Sequence, residues 1–165
     1  MRVMSKGVTG AVLTALVFLG AGTAAASADS GVAGPVVAGT ESDLAHHGRV
    51  SLWDGRVDVR LASRNEGPAG VAEATVRLAF SAPMEGGDLP SGCLWSSARV
   101  ISCRTGVLPA GGESGELALG LRTLGRPQEL TVDVSTAWRA GGIDRNPVND
   151  RHRVLVLATG DPYVF

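Results

Sequence analysis

The sequence predicts an all-β protein, an antiparallel β-sandwich of about seven or eight strands. Three observations carry this. Short runs alternate apolar and polar residues, and turn residues recur roughly every ten positions. No stretch after the N-terminal segment keeps a helical period. Cys93 and Cys103 bracket a short segment that can fold back on itself as a hairpin.

The N-terminus comes first. Arg2 and Lys6 form a positive n-region, and Val8 to Leu19 is an uncharged, mostly apolar h-region. Ala26-Ser27-Ala28 is a small-x-small cleavage site, so residues 1–28 read as a secretory signal peptide cut before Asp29. The apolar run is too short for a comfortable membrane anchor, and no later stretch approaches the length of a span. The expected location is therefore secreted, with no membrane span after signal cleavage. Residues 29–42 are rich in Gly, Ala and Val and hold no period for long, which predicts a flexible leader. Residues 43–165 are the expected folded domain.

Removing Arg2 and Lys6 from the 15 basic residues leaves 13 against 16 acids, a net charge of −3. All 13 are arginines, scattered among acids, so there is no basic footprint for nucleic acid. Two cysteines in an exported chain read as one disulfide. Their spacing is not that of a zinc knuckle, and the histidines lie far away in sequence.

The strands follow in order. Val50 to Trp53 alternates and runs into Asp54-Gly55, a hairpin turn signal. Val57, Val59 and Leu61 then mark one face, with Asp58 and Arg60 on the other. Asn65-Glu66-Gly67-Pro68 is a turn. Ala74, Val76, Leu78 and Phe80 form the next inward face. Pro83 to Gly92 reads as a long loop into the cysteine hairpin. There, opposing Cys93 to Cys103 puts Trp95 opposite Ile101 and centres the turn on Ala98. Side chains alternate, so both cysteines, Trp95 and Ile101 share one face. Leu108 to Gly112 is a turn. Leu117, Leu119 and Leu121, then Leu130, Val132 and Val134, mark two more inward faces. Ala140 to Asp150 is a loop. Arg153 to Ala158 is a strand apolar on both sides, which predicts burial on both, and Gly160 to Phe165 is an aromatic tail.

This order of marks resembles the DUF11-like (conserved-repeat) Ig-like domains of bacterial exported and surface proteins. The matching pieces are Asp43-Leu44-Ala45, Asn65-Glu66-Gly67-Pro68-Ala69, Leu89-Pro90-Ser91-Gly92 before Cys93, Val100-Ile101-Ser102-Cys103, Leu108-Pro109-Ala110-Gly111-Gly112, Val134-Ser135, and Asp144 to Asp150. They span about residues 43 to 158. The resemblance implies an Ig-like sandwich outside the cell that makes structural or interaction contacts and has no known catalytic site.

Candidate chemistry is sparse. Asp144, Asn146, Asn149 and Asp150 form an oxygen-rich loop, and Trp138 starts the segment leading to it. Together they are the candidate site for Ca²⁺, a glycan or a small ligand. The loop is not an EF-hand, because the sixth-position Gly and the distal Glu are missing. Asp and Asn there also suit turns that bond their own backbone. His46 and His47 are adjacent, so on a strand they face opposite ways, and both read as solvated residues near an edge. A Ser-His-Asp hydrolase would need His46, His47 or His152 as base, but no Gly-x-Ser-x-Gly elbow occurs. The expectation is a non-enzymatic domain with no catalytic residues, metal or cofactor. Its expected partner is an extracellular protein or a cell-envelope component. Tyr163-Val164-Phe165 is left between two roles, closing its own sheet or adding to a partner's.

The intact mass of the exported protein is expected to correspond to a chain starting at Asp29. Recovery of an exported chain that still carries Met1 to Ala28 would contradict the cleavage reading.

Overall fold

The computed structural model describes residues 41–165. The expected signal peptide and the expected leader up to residue 40 lie outside the described residues. Among the described residues every regular element is a strand. In chain order they are β1 (Glu41–Ser42), β2 (Leu44–Trp53), β3 (Arg56–Asn65), β4 (Ala74–Phe80), β5 (Met84–Asp88), β6 (Cys93–Ser97), β7 (Val100–Arg104), β8 (Leu117–Thr123), β9 (Glu129–Arg139), β10 (Ile143–Asp144), β11 (Arg151–Leu157) and β12 (Tyr163–Val164).

They form two five-stranded antiparallel sheets, ordered β11-β9-β4-β7-β6 and β12-β2-β3-β8-β5. A short parallel pair, β1-β10, sits apart from them. One buried cluster draws Val57, Val59 and Leu119 from the second sheet and Val76, Leu78 and Val132 from the first. That shared core makes the architecture a β-sandwich. A smaller cluster of Leu44, Val71, Ala74 and Leu108 closes one end.

The alternating runs bury the faces expected of them. Val57, Val59 and Leu61 are buried, as are Leu130, Val132 and Val134. Asp54 and Gly55 both hold positive φ (47° and 77°), the geometry of a two-residue hairpin turn that matches strand twist. It joins β2 and β3, which stay in register over ten residue pairs.

The cysteine hairpin keeps its expected register. Cys93 faces Cys103, Trp95 faces Ile101, and the two cysteines are bonded. Ile101 and Cys103 are buried, and Cys93 and Trp95 are partly buried and packed against the main core, so the staple faces inward. The turn differs. The register shifts at Ser96, so Ser97 pairs with Val100 and the turn is Ala98-Arg99 rather than centred on Ala98. An extra residue on one strand shortens the turn and twists the hairpin.

Five expectations are corrected. Glu41 and Ser42 belong to β1 rather than to a leader, because Ile143–Asp144 and the Ala69 amide take up their backbone groups. The segment after Pro83 is not all loop, since β5 pairs with β8 and completes the second sheet at its edge. Its Gly-Gly sequence carries no strand signal, so only the neighbour's hydrogen bonds define it. The expected Ala140 to Asp150 loop likewise contains β10, held by its pairing with β1. Residues 151–157 are not buried on both faces. Val154 and Val156 point inward while Leu155 and Leu157 are exposed, because β11 is an edge strand of a sheet covered on one side only. His46 is not solvated; it is fully buried, whereas His47 on the other face is exposed. The tail question is answered within the chain: Tyr163 pairs with Val50 and Val164 with Arg49, and Phe165 exchanges backbone hydrogen bonds with Gly48.

Closing so short a loop is worth roughly 2.5–3 kcal/mol in the chain-entropy description of a disulfide. A Cys93→Ser/Cys103→Ser double variant is expected to lose stability of that order in urea unfolding. Reductant should reproduce the loss in the parent and do nothing further to the variant; equal midpoints for parent and variant would remove the staple's role.

Candidate functional site

The loop singled out from sequence lies at one end of the sandwich, where it straps down the start of β2. Asp144 does most of the holding. Its Oδ2 accepts from the Leu44 amide (3.2 Å) and lies 3.6 Å from Arg139 Nη1, and its Oδ1 accepts from the Asn146 amide (2.9 Å). The last contact is an Asx-type turn. Asn149 Nδ2 donates to Asp43 Oδ1 (2.8 Å), and the His46 amide donates to the Asn149 carbonyl (3.2 Å). The Asn146 side chain is exposed. Asp150 is buried, with Arg151 Nε 3.5 Å from its Oδ1.

Trp138 is placed elsewhere by a β-bulge. Leu130, Val132 and Val134 point inward, which would turn Trp138 inward as well. Instead Val76 pairs with Thr136 and Thr75 with Trp138, so Ala137 is an extra residue. One inserted residue reverses the face of everything after it. Trp138 therefore stands 53% exposed on the outer face, opposite Thr75. The structure brings Asp144, Asn149 and Asp150 into one strap, leaves Asn146 on the surface, and turns Trp138 outward. Among the described residues, no three His, Cys, Asp or Glu side chains form a metal-ligating group.

What the strap covers has no signature in the local sequence pattern. His46 Nδ1 lies 3.0 Å from Ser63 Oγ and its Nε2 lies 2.9 Å from Thr136 Oγ1. The Thr136 backbone amide in turn donates to the Asp150 carbonyl at 3.3 Å. Both ring nitrogens thus have a hydroxyl partner, and a neutral imidazole donates from one and accepts at the other. This chain does not have the organisation of a hydrolytic triad. A hydroxyl, not a carboxylate, stands on the second ring nitrogen, and both His46 and Ser63 are buried. Ser42 Oγ, Asn149 Oδ1 and Asp150 Oδ1 are buried without a hydrogen-bond partner among the described residues.

Burial governs the protonation of this cluster. It lowers the His46 pKa from 6.5 to about 4, with His152 and His47 adding to the effect and Asp144 opposing it. Burial also pushes Asp150 above its ordinary value; Thr136 counters this, Asp144 adds to it, and Arg151 and Arg139 oppose it.

A second feature lies on the outer face of the other sheet. A groove of about 590 Å³ runs across β3, β8 and β5, lined by Arg56, Asp58, Glu85, Asp88 and Arg122 over Gly86, Gly87 and Gly120. Asp58 and Arg122 alternate with core residues in strands that the sequence pattern predicts. What it lacked was β5, and without β5 there is no groove.

The linkage sign for His46 is definite. Above pH 6.5 the ring is neutral in both states and its contribution is complete. Between pH 6.5 and about 4 the unfolded chain takes up a proton that the fold refuses, so stability falls as pH falls. The full loss is on the order of 3 kcal/mol. Asp150 acts oppositely from pH 3.8 upward, because acid relieves its burial, so it offsets the low end of the window. His46→Gln cannot titrate. Its stability is expected to be lower at pH 7 but flatter between pH 6.5 and 4.5 in urea unfolding; an unchanged slope would assign the acid sensitivity elsewhere.

No protein-family model matches this chain, and no curated protein matches it in sequence.

Proposed function

We propose that the protein is an exported, non-enzymatic Ig-like domain that makes protein or cell-envelope contacts outside the cell. The observation that supports this most is where the unengaged polar groups lie. The buried histidine is sealed by Ser63 and Thr136, whereas the charged groove on the outer face is open. Catalysis by His46 would need access from solvent and a nucleophile within reach, and neither Ser63 nor His46 is exposed. Binding at an outer sheet face needs only the second arrangement.

Three sequence features agree with the compartment and family. The N-terminal segment has the pattern of an export signal, a disulfide suits an oxidising environment, and the turn motifs resemble DUF11-like domains. The alternative, a ligand or Ca²⁺ held by the 138–150 loop, has weaker support. Asp144 and Asn149 already hold the start of β2 and Trp138 faces away from its inward-pointing neighbours.

Fractionation of producing cells, followed by capture on the native envelope and from the medium, tests the reading. The expected result is recovery outside the cytoplasm and retention by a defined envelope component or exported protein. Recovery only in the cytoplasm, or release from the envelope at the first low-salt wash with no captured partner, would overturn it.

A further inference from the structure

The geometry points to a glycan-binding site in the groove on the outer face of the β12-β2-β3-β8-β5 sheet, taking an uncharged saccharide. It deepens the envelope-contact reading by naming a surface and a ligand class, and it relies on that reading only for the compartment.

Cross-strand register sets the layout. Arg56 pairs with Arg122, and Arg122 pairs with Gly86. In the adjacent row Asp58 pairs with Gly120, and Gly120 pairs with Asp88. Two guanidinium groups are thus direct neighbours, beside two carboxylates that flank a residue with no side chain. A like-charge pair directly opposed across two strands is unfavourable on its own. Glu85 joins the set because the register shifts between Met84 and Gly86, making it the extra residue of a bulge on the edge strand.

None of these five charged side chains forms an ion pair or a side-chain hydrogen bond with another described residue. Several other surface arginines are paired: Arg60 with Glu116 at 3.1 Å, Arg126 with Asp54 at 3.0 Å and Arg153 with Asp133 at 3.2 Å. Arg49, exposed on β2 of the same sheet, also has no carboxylate partner among the described residues; what sets the groove apart is that five unpaired charges of both signs gather around it.

The ligand class follows from the charge mixture. Three carboxylates repel a phosphate or sulfate, and two guanidinium groups repel a simple cation. A neutral polyhydroxylated molecule satisfies both kinds at once, because each hydroxyl donates to a carboxylate and accepts from a guanidinium N–H. The bare floor lets a ring approach the backbone. Gly87 is required there, since a Cβ would lie 2.6 Å from the Gly120 carbonyl oxygen. Gly120 is not, since its Cβ would meet only Asp58 Oδ1, at 3.9 Å. The nearest aromatic in the row, Trp53, pairs with Arg56 but lies against Gly160, so recognition rests on hydrogen bonds rather than on stacking.

Affinity electrophoresis of the purified full-length protein tests this. The probes are soluble β-1,3-, β-1,4-, α-1,4- and α-1,6-glucans, xylan, galactomannan and soluble peptidoglycan fragments, with heparin and polylysine as charged controls. The expected result is retardation by at least one uncharged polysaccharide, persisting in 0.5 M NaCl and reduced at least fivefold by Arg122→Ala and by Gly120→Ile. Gly120→Ile fills the groove at a site with room for a side chain, so its thermal midpoint should match the parent. Asp144→Asn, in the strap at the end of the sandwich, should leave retardation unchanged. No retardation by any uncharged probe, retardation unaffected by Gly120→Ile, or binding to heparin or polylysine alone would overturn the proposal. The last outcome would leave the envelope-contact reading standing, with charge as its basis.

Discussion

The end of the sandwich depends on one buried amide. Asn65 has no exposed surface, yet it uses both ends of its side chain. Its Oδ1 accepts from the Asp43 and Gly67 amides (3.2 and 3.1 Å), and its Nδ2 donates to the Ala69 carbonyl (2.7 Å), with the Leu108 and Pro109 carbonyls at 3.4 and 3.3 Å. Three chain segments with no ladder of their own therefore meet at one side chain. Leaving even one buried polar group unpaired costs about 1–3 kcal/mol, a large part of a typical domain stability of about 5–15 kcal/mol. Gly67 completes the arrangement by its size, because a Cβ there would lie 2.6 Å from the Ser42 Cα. The first described strand can lie across the Asn65 turn only because residue 67 has no side chain.

The smaller apolar cluster explains why this junction must be polar and tight. Leu44, Val71, Ala74 and Leu108 come from the same three segments and are buried together. The backbone that delivers them is shielded from water with them, so its amides and carbonyls need partners within the chain. Val71 and Leu108 exchange both backbone hydrogen bonds at 2.8 Å, and Asn65 supplies others. The strap formed by Asp144 and Asn149 does the same for the start of β2. Asp144 and the Asn149 side-chain nitrogen are thus engaged by folding before any ligand is considered.

Legibility in the sequence followed the range of the interactions. The alternating strands and the cysteine register were readable because period two and direct opposition are local consequences of backbone geometry. Asn65 and Asp144 were read as turn residues, which they are; their long-range bonds were invisible because the partners lie 22 or more residues away. His46 was misread because its burial comes from β9 and the strap crossing above it, not from its neighbours in sequence. Trp138 illustrates the same limit within one strand: the bulge at Ala137 carries no residue signature, yet it decides which way the indole points. β5 was missed because two glycines give no pattern, and the groove was missed with it.

The two polar concentrations in this fold differ in what their neighbours leave undone. In the chain from Ser63 through His46 to Thr136, each ring nitrogen has a hydroxyl partner, and burial holds the histidine neutral. Such a chain fixes the relation of β2, β3 and β9 and resists any change in charge, which is the opposite of what a general base needs near neutral pH. On the outer face the situation is reversed. Arg56 and Arg122 stand opposed with no carboxylate bound to either, although Asp58 is two residues along the same strand. Their N–H donors are met by water alone, so an occupant with hydroxyl acceptors can take the place of that water. The fold therefore separates its polar groups by task. Those at the end of the sandwich are spent on closing it, and those above Gly120 remain available to something outside it.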